Sequence, residues 1–157
     1  MLACNCLLGE TRKMLWSDIA IGDVFESGRF EVDADEMLEF NRKWDTLPIH
    51  LSDESAREAN YKGVIASGQY TLCIKQAFVS KMPWAASVVG AIAFEGLRFH
   101  APVYAGDTLT MVTKILDKRI TRKRPDRGIM KAHMALSNQI GTTVLSYVDV
   151  IMLSIDS

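Results

Sequence analysis

The chain has 157 residues, 48% apolar and 24% charged, and its 18 Lys and Arg against 19 Asp and Glu give a formal charge of −1. That length suits a single domain with a sizeable core. The balanced charge excludes a global drive toward nucleic acid or acidic membranes, and no apolar run reaches the ~18–20 residues of a membrane-spanning helix.

Residues 1–13 have no basic segment ahead of their apolar residues, so no signal peptide is expected. They read as a disordered start, with the domain occupying 14–157. Cys4 and Cys6 are separated by one residue and lack a partner cluster, which is not zinc-ligand spacing, and no metal is expected. Cys73 lies in an apolar run and reads as a small core residue. Few, unpaired cysteines fit the reducing cytoplasm.

Trp16 to Asp23 leads in, with a turn at Gly22-Asp23, and Val24 to Val32 carries a loose strand pattern. Asp33 is placed to cap a helix over Ala34 to Lys43, whose Met37, Phe40 and Trp44 recur as one apolar stripe. Ser52 should cap a second, polar helix, with Asp53 and Glu54 in the first turn, where negative charge suits the helix dipole. Gly63 breaks it. Ala66 to Met82 is the strongest helix pattern, capped by Ser67, apolar on most of its circumference and ended by Pro83; such a helix is expected to be buried.

From Ser87 the period changes to two. Strands are predicted over Val88–His100, Thr108–Lys118, Ile129–Leu136 and Thr142–Leu153, the last apolar on both faces and therefore central. Short connections make these strands antiparallel. Met111, Met130, Met134 and Met152 fall at strand spacing and read as core, while His100 and His133 read as surface or interface residues. One sheet with a large apolar face and one apolar helix are best buried by wrapping the sheet around the helix: an α+β, single-domain hot-dog arrangement.

Chemistry concentrates between Trp44 and Gln69. Asp45 and His50 stand five residues apart across Pro48, which restricts the turn and biases Leu47 to an extended conformation. A carboxylate and an imidazole brought together can hold a water and exchange protons with it. Ser67-Gly68 opens the long helix, where free N–H groups and the positive dipole end can stabilise a developing enolate, and Gly68 admits close approach. An acid/base pair beside an oxyanion site suits proton transfer alpha to a carbonyl.

These residues resemble a known family. Asp45-Thr46-Leu47-Pro48-Ile49-His50-Leu51 is similar to the D-x-x-P-x-H-x core of MaoC-like dehydratases, the (R)-specific enoyl-CoA hydratases. Gly63-Val64-Ile65-Ala66-Ser67-Gly68 resembles their G-x-I-A-[HS]-G segment, and Pro102 with Gly106-Asp107 their P-V-x-x-G-D turn. The resemblance covers roughly residues 16–153. It implies a hot-dog fold, usually dimeric, in which Asp45 and His50 activate water for syn hydration of a 2-enoyl thioester or its reversal. It further implies that the Gly68 N–H binds the thioester oxygen, with Ser67 as hydrogen-bond support. Coenzyme A enters only as part of the substrate, and no separate cofactor is expected. Leu47 departs from the pattern, because many members carry there an Asn that supports the site.

Lys118 to Arg127 is the one concentrated basic run. Arg122, Arg124 and Arg127 are candidates for the phosphates of an acyl-CoA, since guanidinium geometry suits phosphate; the alternative is a solvated hairpin. No nucleic-acid partner or membrane insertion is expected. Two rival functions remain: a thioesterase on the same fold, and a non-catalytic acyl-thioester-binding or structural module.

Overall fold

The computed structural model describes residues 14–155. The expected disordered start, with Cys4 and Cys6, lies outside them. Strand β1 (Val24–Glu31) leads into helix α1 (Ala34–Trp44), a short 3₁₀ turn over Pro48–His50, and helix α2 (Asp53–Glu58). Helix α3 (Gly68–Val79) follows, and then strands β2 (Val88–Phe99), β3 (Thr108–Ile120), β4 (Arg127–Ser137) and β5 (Thr143–Ser154).

The expected caps form. Asp33 accepts from the Glu36 N–H (2.8 Å) and Ser52 from the Ser55 N–H (3.3 Å), each supplying an acceptor that the first helical turn lacks. Turns form where glycine can take a positive φ, as at Gly106 (φ 82°), followed by Asp107, whose carboxylate accepts from the Tyr104 N–H at 2.9 Å.

All five strands join one antiparallel sheet in the order β1-β3-β4-β5-β2. Leu109, Met111 and Ile115 of β3, Met130, Met134 and Leu136 of β4, and Leu145, Ile151 and Leu153 of β5 face the same core as Tyr70, Ile74 and Phe78 of α3. The sheet curls around α3, and the fold is the hot dog. Among the described residues no helix is long and apolar enough to cross a membrane.

The late strands pair antiparallel as expected; the structure adds one placement and corrects two expectations. First, the placement: β2, although next to it in sequence, does not adjoin β3. It crosses to the far side of β5 and forms an edge, because β5 is the strand with apolar residues on both faces and takes the inner position. Second, α3 is not buried all round: Gln69, Cys73 and Gln76 form an exposed flank, so Cys73 is exposed rather than core. Its neighbours at helical spacing are polar, and the sheet covers only the Tyr70–Ile74–Phe78 side. Third, the buried stripe of α1 runs through Met37 and Asn41, while Trp44 faces solvent.

The sheet has two distinct ends. Register places Glu31, Thr108, Ser137, Thr143 and Phe99 at one, and Ile120, Arg127, Ser154 and Val88 at the other.

Candidate functional site

The site is built where α1 stops. The Asp45 N–H donates back to Asn41 O (2.9 Å) and closes α1, Leu47 is extended (φ −61°, ψ 138°) as a residue before proline must be, and Pro48 starts the 3₁₀ turn. The His50 N–H reaches Leu47 O at 2.9 Å, so the turn folds His50 back toward Asp45. His50 Nε2 lies 3.5 Å from Asp45 Oδ2. The His50 side chain is 8% exposed.

The other ring nitrogen fixes the chemistry of this pair. His50 Nδ1 sits 2.9 Å from Ile65 O. A carbonyl only accepts, so Nδ1 carries the hydrogen and, in the neutral ring, Nε2 presents its lone pair. That lone pair faces a carboxylate oxygen, another acceptor. Two acceptors so placed are bridged by a donor with two hydrogens, and water is the smallest.

Asn41, fully buried, ties the surrounding backbone together. Its Nδ2 donates to His50 O (3.0 Å) and Ile65 O (3.3 Å), and its Oδ1 accepts from the Ser67 N–H (3.2 Å). One amide thus joins the 3₁₀ turn, the loop before α3 and the α3 cap. Motif reading missed Asn41; its signal was a position on the buried stripe of α1. Leu47, where the family pattern often places an amide, is 57% exposed and stands outside this network.

Ser67 is buried, and its Oγ accepts from the Gln69 N–H at 3.1 Å as the α3 N-cap. The Gly68 N–H has no acceptor among the described residues and lies at the positive end of the helix. The Phe99 ring closes on this glycine: a Cβ built there would stand 2.9 Å from Phe99 Cζ. The loop is held from both sides, Ile65 N–H to Ile49 O (3.4 Å) and Ala66 N–H to Val103 O (2.8 Å). Asp45, His50, Ser67 and Gly68 therefore belong to one hydrogen-bonded unit at the Phe99 end of the sheet.

Arg122, Arg124 and Arg127 do not join it. They lie in and beside the β3–β4 hairpin at the opposite end, ~40 Å away along the length of β3. Asp126 holds two of their guanidiniums, Arg124 Nε at 3.1 Å and Arg127 Nε at 3.2 Å. His100 and His133 are both exposed, and His100 Nε2 pairs with Ser146 Oγ at 2.7 Å.

A second polar cluster lies two turns along α3. Lys75 and Asp149 of β5 are each only 3% exposed. The ammonium meets Gln76 Oε1 (3.2 Å) and sits over the Phe94 ring, 4.2 Å from its centroid. Burial pushes the Asp149 carboxyl up to about 6, against the opposing pull of the Lys75 charge and the Tyr147 hydroxyl, and burial holds Lys75 below its ordinary value. Among the described residues no group of three or more His, Cys, Asp or Glu could hold a metal ion.

Known proteins resemble this chain in sequence and in fold. Residues 18–134 match the family described as "MaoC like domain". An uncharacterized protein of Bacillus subtilis, YdeM, is 28% identical over 127 residues, 80% of this chain and 89% of its own. A MaoC-like dehydratase from Rhodospirillum rubrum superposes with a TM-score of 0.83 at 29% identity, covering 90% of this chain and 97% of its own. The (R)-hydratase PhaJ1 of Pseudomonas aeruginosa (TM-score 0.67, 22% identity, 92% and 88% covered) shares the fold. So does a Mycobacterium tuberculosis protein described as a double hot-dog fold (TM-score 0.78, 20% identity, 90% and 44% covered). With the match spanning well over half of its length, the chain belongs to the MaoC-like domain family.

Proposed function

We propose that this protein is a hydratase/dehydratase of 2-enoyl thioesters of the coenzyme A type. The observation that carries the reading is the Asp45–His50 pair, 3.5 Å apart with Nδ1 committed to Ile65 O. A water between Asp45 Oδ2 and His50 Nε2 is oriented by both and loses a proton to the Nε2 lone pair as its oxygen attacks C3 and the double-bond electrons move onto the thioester oxygen. The enolate then takes that proton from the His50 imidazolium at C2, which restores the thioester carbonyl and the neutral imidazole, and in the reverse direction the same groups remove water. Negative charge builds on the thioester oxygen during attack, and the Gly68 N–H at the head of α3 is the available donor for it. The reading needs no cofactor beyond the carrier of the acyl group.

The chain also has a reason to pair. Edge β1 is short, carries Glu26, Arg29 and Glu31, and is interrupted by a bulge between Glu26 and Arg29, all features that discourage further strand addition. Edge β2 is 12 residues long, with Val89, Ile92, Phe94 and Phe99 exposed. A second copy added at β2 would cover them. The double hot-dog description of the M. tuberculosis neighbour, of which this chain covers 44%, supports two such units working side by side.

The test is loss of enoyl absorbance from crotonyl-CoA and from longer, branched and dicarboxylic enoyl-CoAs. Asp45→Asn and His50→Ala are each expected to lower kcat by ~100-fold or more with folding unchanged. Full activity in Asp45→Asn would overturn the mechanism. Release of free thiol without hydration would instead identify a thioesterase.

A further inference from the structure

Lys75 and Asp149 are two buried charges that the Asp45–His50 chemistry does not use. Among the described residues no carboxylate oxygen lies within ion-pair distance of the Lys75 ammonium. It donates to Gln76 Oε1 at 3.2 Å and otherwise meets the faces of Phe94 and Tyr147, 4.2 and 5.3 Å from their centroids. Ring faces are weaker acceptors than oxygen. Asp149 Oδ1 is buried with no hydrogen-bond partner among the described residues. A donor and an acceptor left underused in one buried cluster cost stability as structure alone, and a polar ligand group would satisfy both.

The cluster lies on a line that starts at the Gly68 N–H. Lys75 follows Gly68 by close to two full helical turns, so both stand on one side of α3, about 10 Å apart along its axis. Leu72 lies between them on that side, half-buried against the core. Strand β2 runs beside this line: the Phe99 ring closes on Gly68, and the Phe94 ring closes on the Lys75 ammonium. These two phenylalanines are an odd number of residues apart and would face opposite ways in a regular strand. The register shift between Glu95 and Arg98, with Gly96 at φ 62°, resets the alternation and turns both toward α3. Leu97 packs against the core between them. The line from Gly68 to Lys75 is therefore walled by Leu72, Leu97 and Phe99 and charged at its far end. Phe94 and Phe99 are exposed, so it is open at the sheet edge.

We propose that Lys75, Gln76 and Asp149 receive the distal carboxyl group of a dicarboxylic 2-enoyl thioester whose reacting end lies at Asp45, His50 and Gly68. The assignment rests on the enoyl-thioester reading above and names its acyl class. The Lys75 ammonium and the Gln76 amide donate to the carboxyl oxygens, and Asp149 Oδ1 shares one proton with them. One ammonium then faces one negative charge spread over two carboxyl groups, so the occupied cluster is neutral, as burial favours. Burial already raises the Asp149 carboxyl to about 6, which makes the shared proton easy to hold near neutral pH. Phe94 is the group that yields, because the ligand takes its place beside the ammonium. A methyl chain end there would leave both charges without a new partner. An axial distance of about 10 Å corresponds to an acyl chain of about eight carbons.

The experiment gives the full chain 2-octenedioyl-CoA, 2-octenoyl-CoA and 8-hydroxy-2-octenoyl-CoA and follows loss of enoyl absorbance. Wild type should favour the diacid over the monoacid by about tenfold or more in kcat/KM. Lys75→Met with Asp149→Leu, which removes both buried charges, should invert that preference, with folding checked by circular dichroism. Gln76→Leu, at an exposed position, should narrow it severalfold and serves as the test if the double variant does not fold. A wild type that prefers the monoacid, a preference undiminished in the folded variant, or faster turnover of the hydroxy substrate than of the diacid would each overturn the inference. Should wild type turn over no enoyl-CoA of any length, the hydratase reading falls by itself. Titration with octanedioyl-CoA and octanoyl-CoA then decides the acyl site: tighter binding of the diacid that weakens in the variant upholds it, and equal binding of the two overturns it.

Discussion

Two buried polar clusters lie along α3, and they are built on opposite principles. At its head, Asn41 spends both amide hydrogens and its carbonyl on backbone groups, and His50 Nδ1 adds a fourth bond to the same unit. Two turns further on, Asp149 Oδ1 is buried without a hydrogen-bond partner among the described residues, and Lys75 relies on Gln76 and on ring faces. The satisfied cluster holds geometry: its groups have few other places to go, so Asp45 and His50 stay in register with Ser67 and Gly68. The under-satisfied cluster shifts protons instead, because burial without full pairing acts against the charged form of each member.

The largest effect should come from breaking the satisfied cluster. Asn41→Ala leaves the Ser67 N–H and His50 O buried without this partner, at a cost of ~2–5 kcal/mol. It should also lower kcat by about tenfold or more, through loss of positioning rather than of a reacting group. Urea unfolding and enoyl-CoA kinetics check the two parts, and a variant as stable as wild type would show that the clamp does not hold the turn.

The second cluster should show itself in the pH dependence of stability. The Asp149 carboxyl is raised from 3.8 to about 6, so the folded chain keeps this proton to higher pH than the unfolded chain does. Below pH 3.8 both states are protonated and no penalty arises. As pH rises through about 6, the folded state must ionise a buried group, and at most ~3 kcal/mol of stability is lost. Asp149→Asn should remove that fall. Urea midpoints at pH 4, 5, 6 and 7 that run parallel in the two proteins would refute it. Lys75, held below its ordinary 10.5, contributes with the opposite slope: its cost is present at neutral pH and is relieved only as pH rises toward that value.

A smaller effect should follow Gly68→Ala. The new methyl would meet the Phe99 ring at 2.9 Å, so the ring must swing off the head of α3. Turnover should fall about tenfold with stability changed by less than ~1 kcal/mol, since the contact is with the far end of an exposed side chain. Pairing it with Phe99→Leu should restore part of the rate. Smallest of all is replacement of the second cluster outright: Lys75→Met with Asp149→Leu should be neutral or stabilising by ~1 kcal/mol or more, because it removes two imperfectly paired buried charges together. A large destabilisation would mean that this cluster is paired better than its hydrogen bonds indicate.

What the residues announced in advance was local. The Asp33, Ser52 and Ser67 caps, the Pro48 turn, the Gly106 turn and the strand alternation all use groups within three or four residues of one another, and each formed. The Asp45–His50 pair was legible for the same reason: five residues and one proline set its geometry. Long-range pairing was not legible. Alternation in β2 does not tell which strand it will pair with, so its place at the edge beyond β5 emerged only when the sheet closed around α3. The same closure buried Asn41 and Lys75, exposed Cys73, and carried the basic hairpin to the end of the sheet opposite the site. Sequence by itself determined which side chains could do proton chemistry; the tertiary structure decided which of them meet, because burial and strand order depend on contacts that no local stretch encodes.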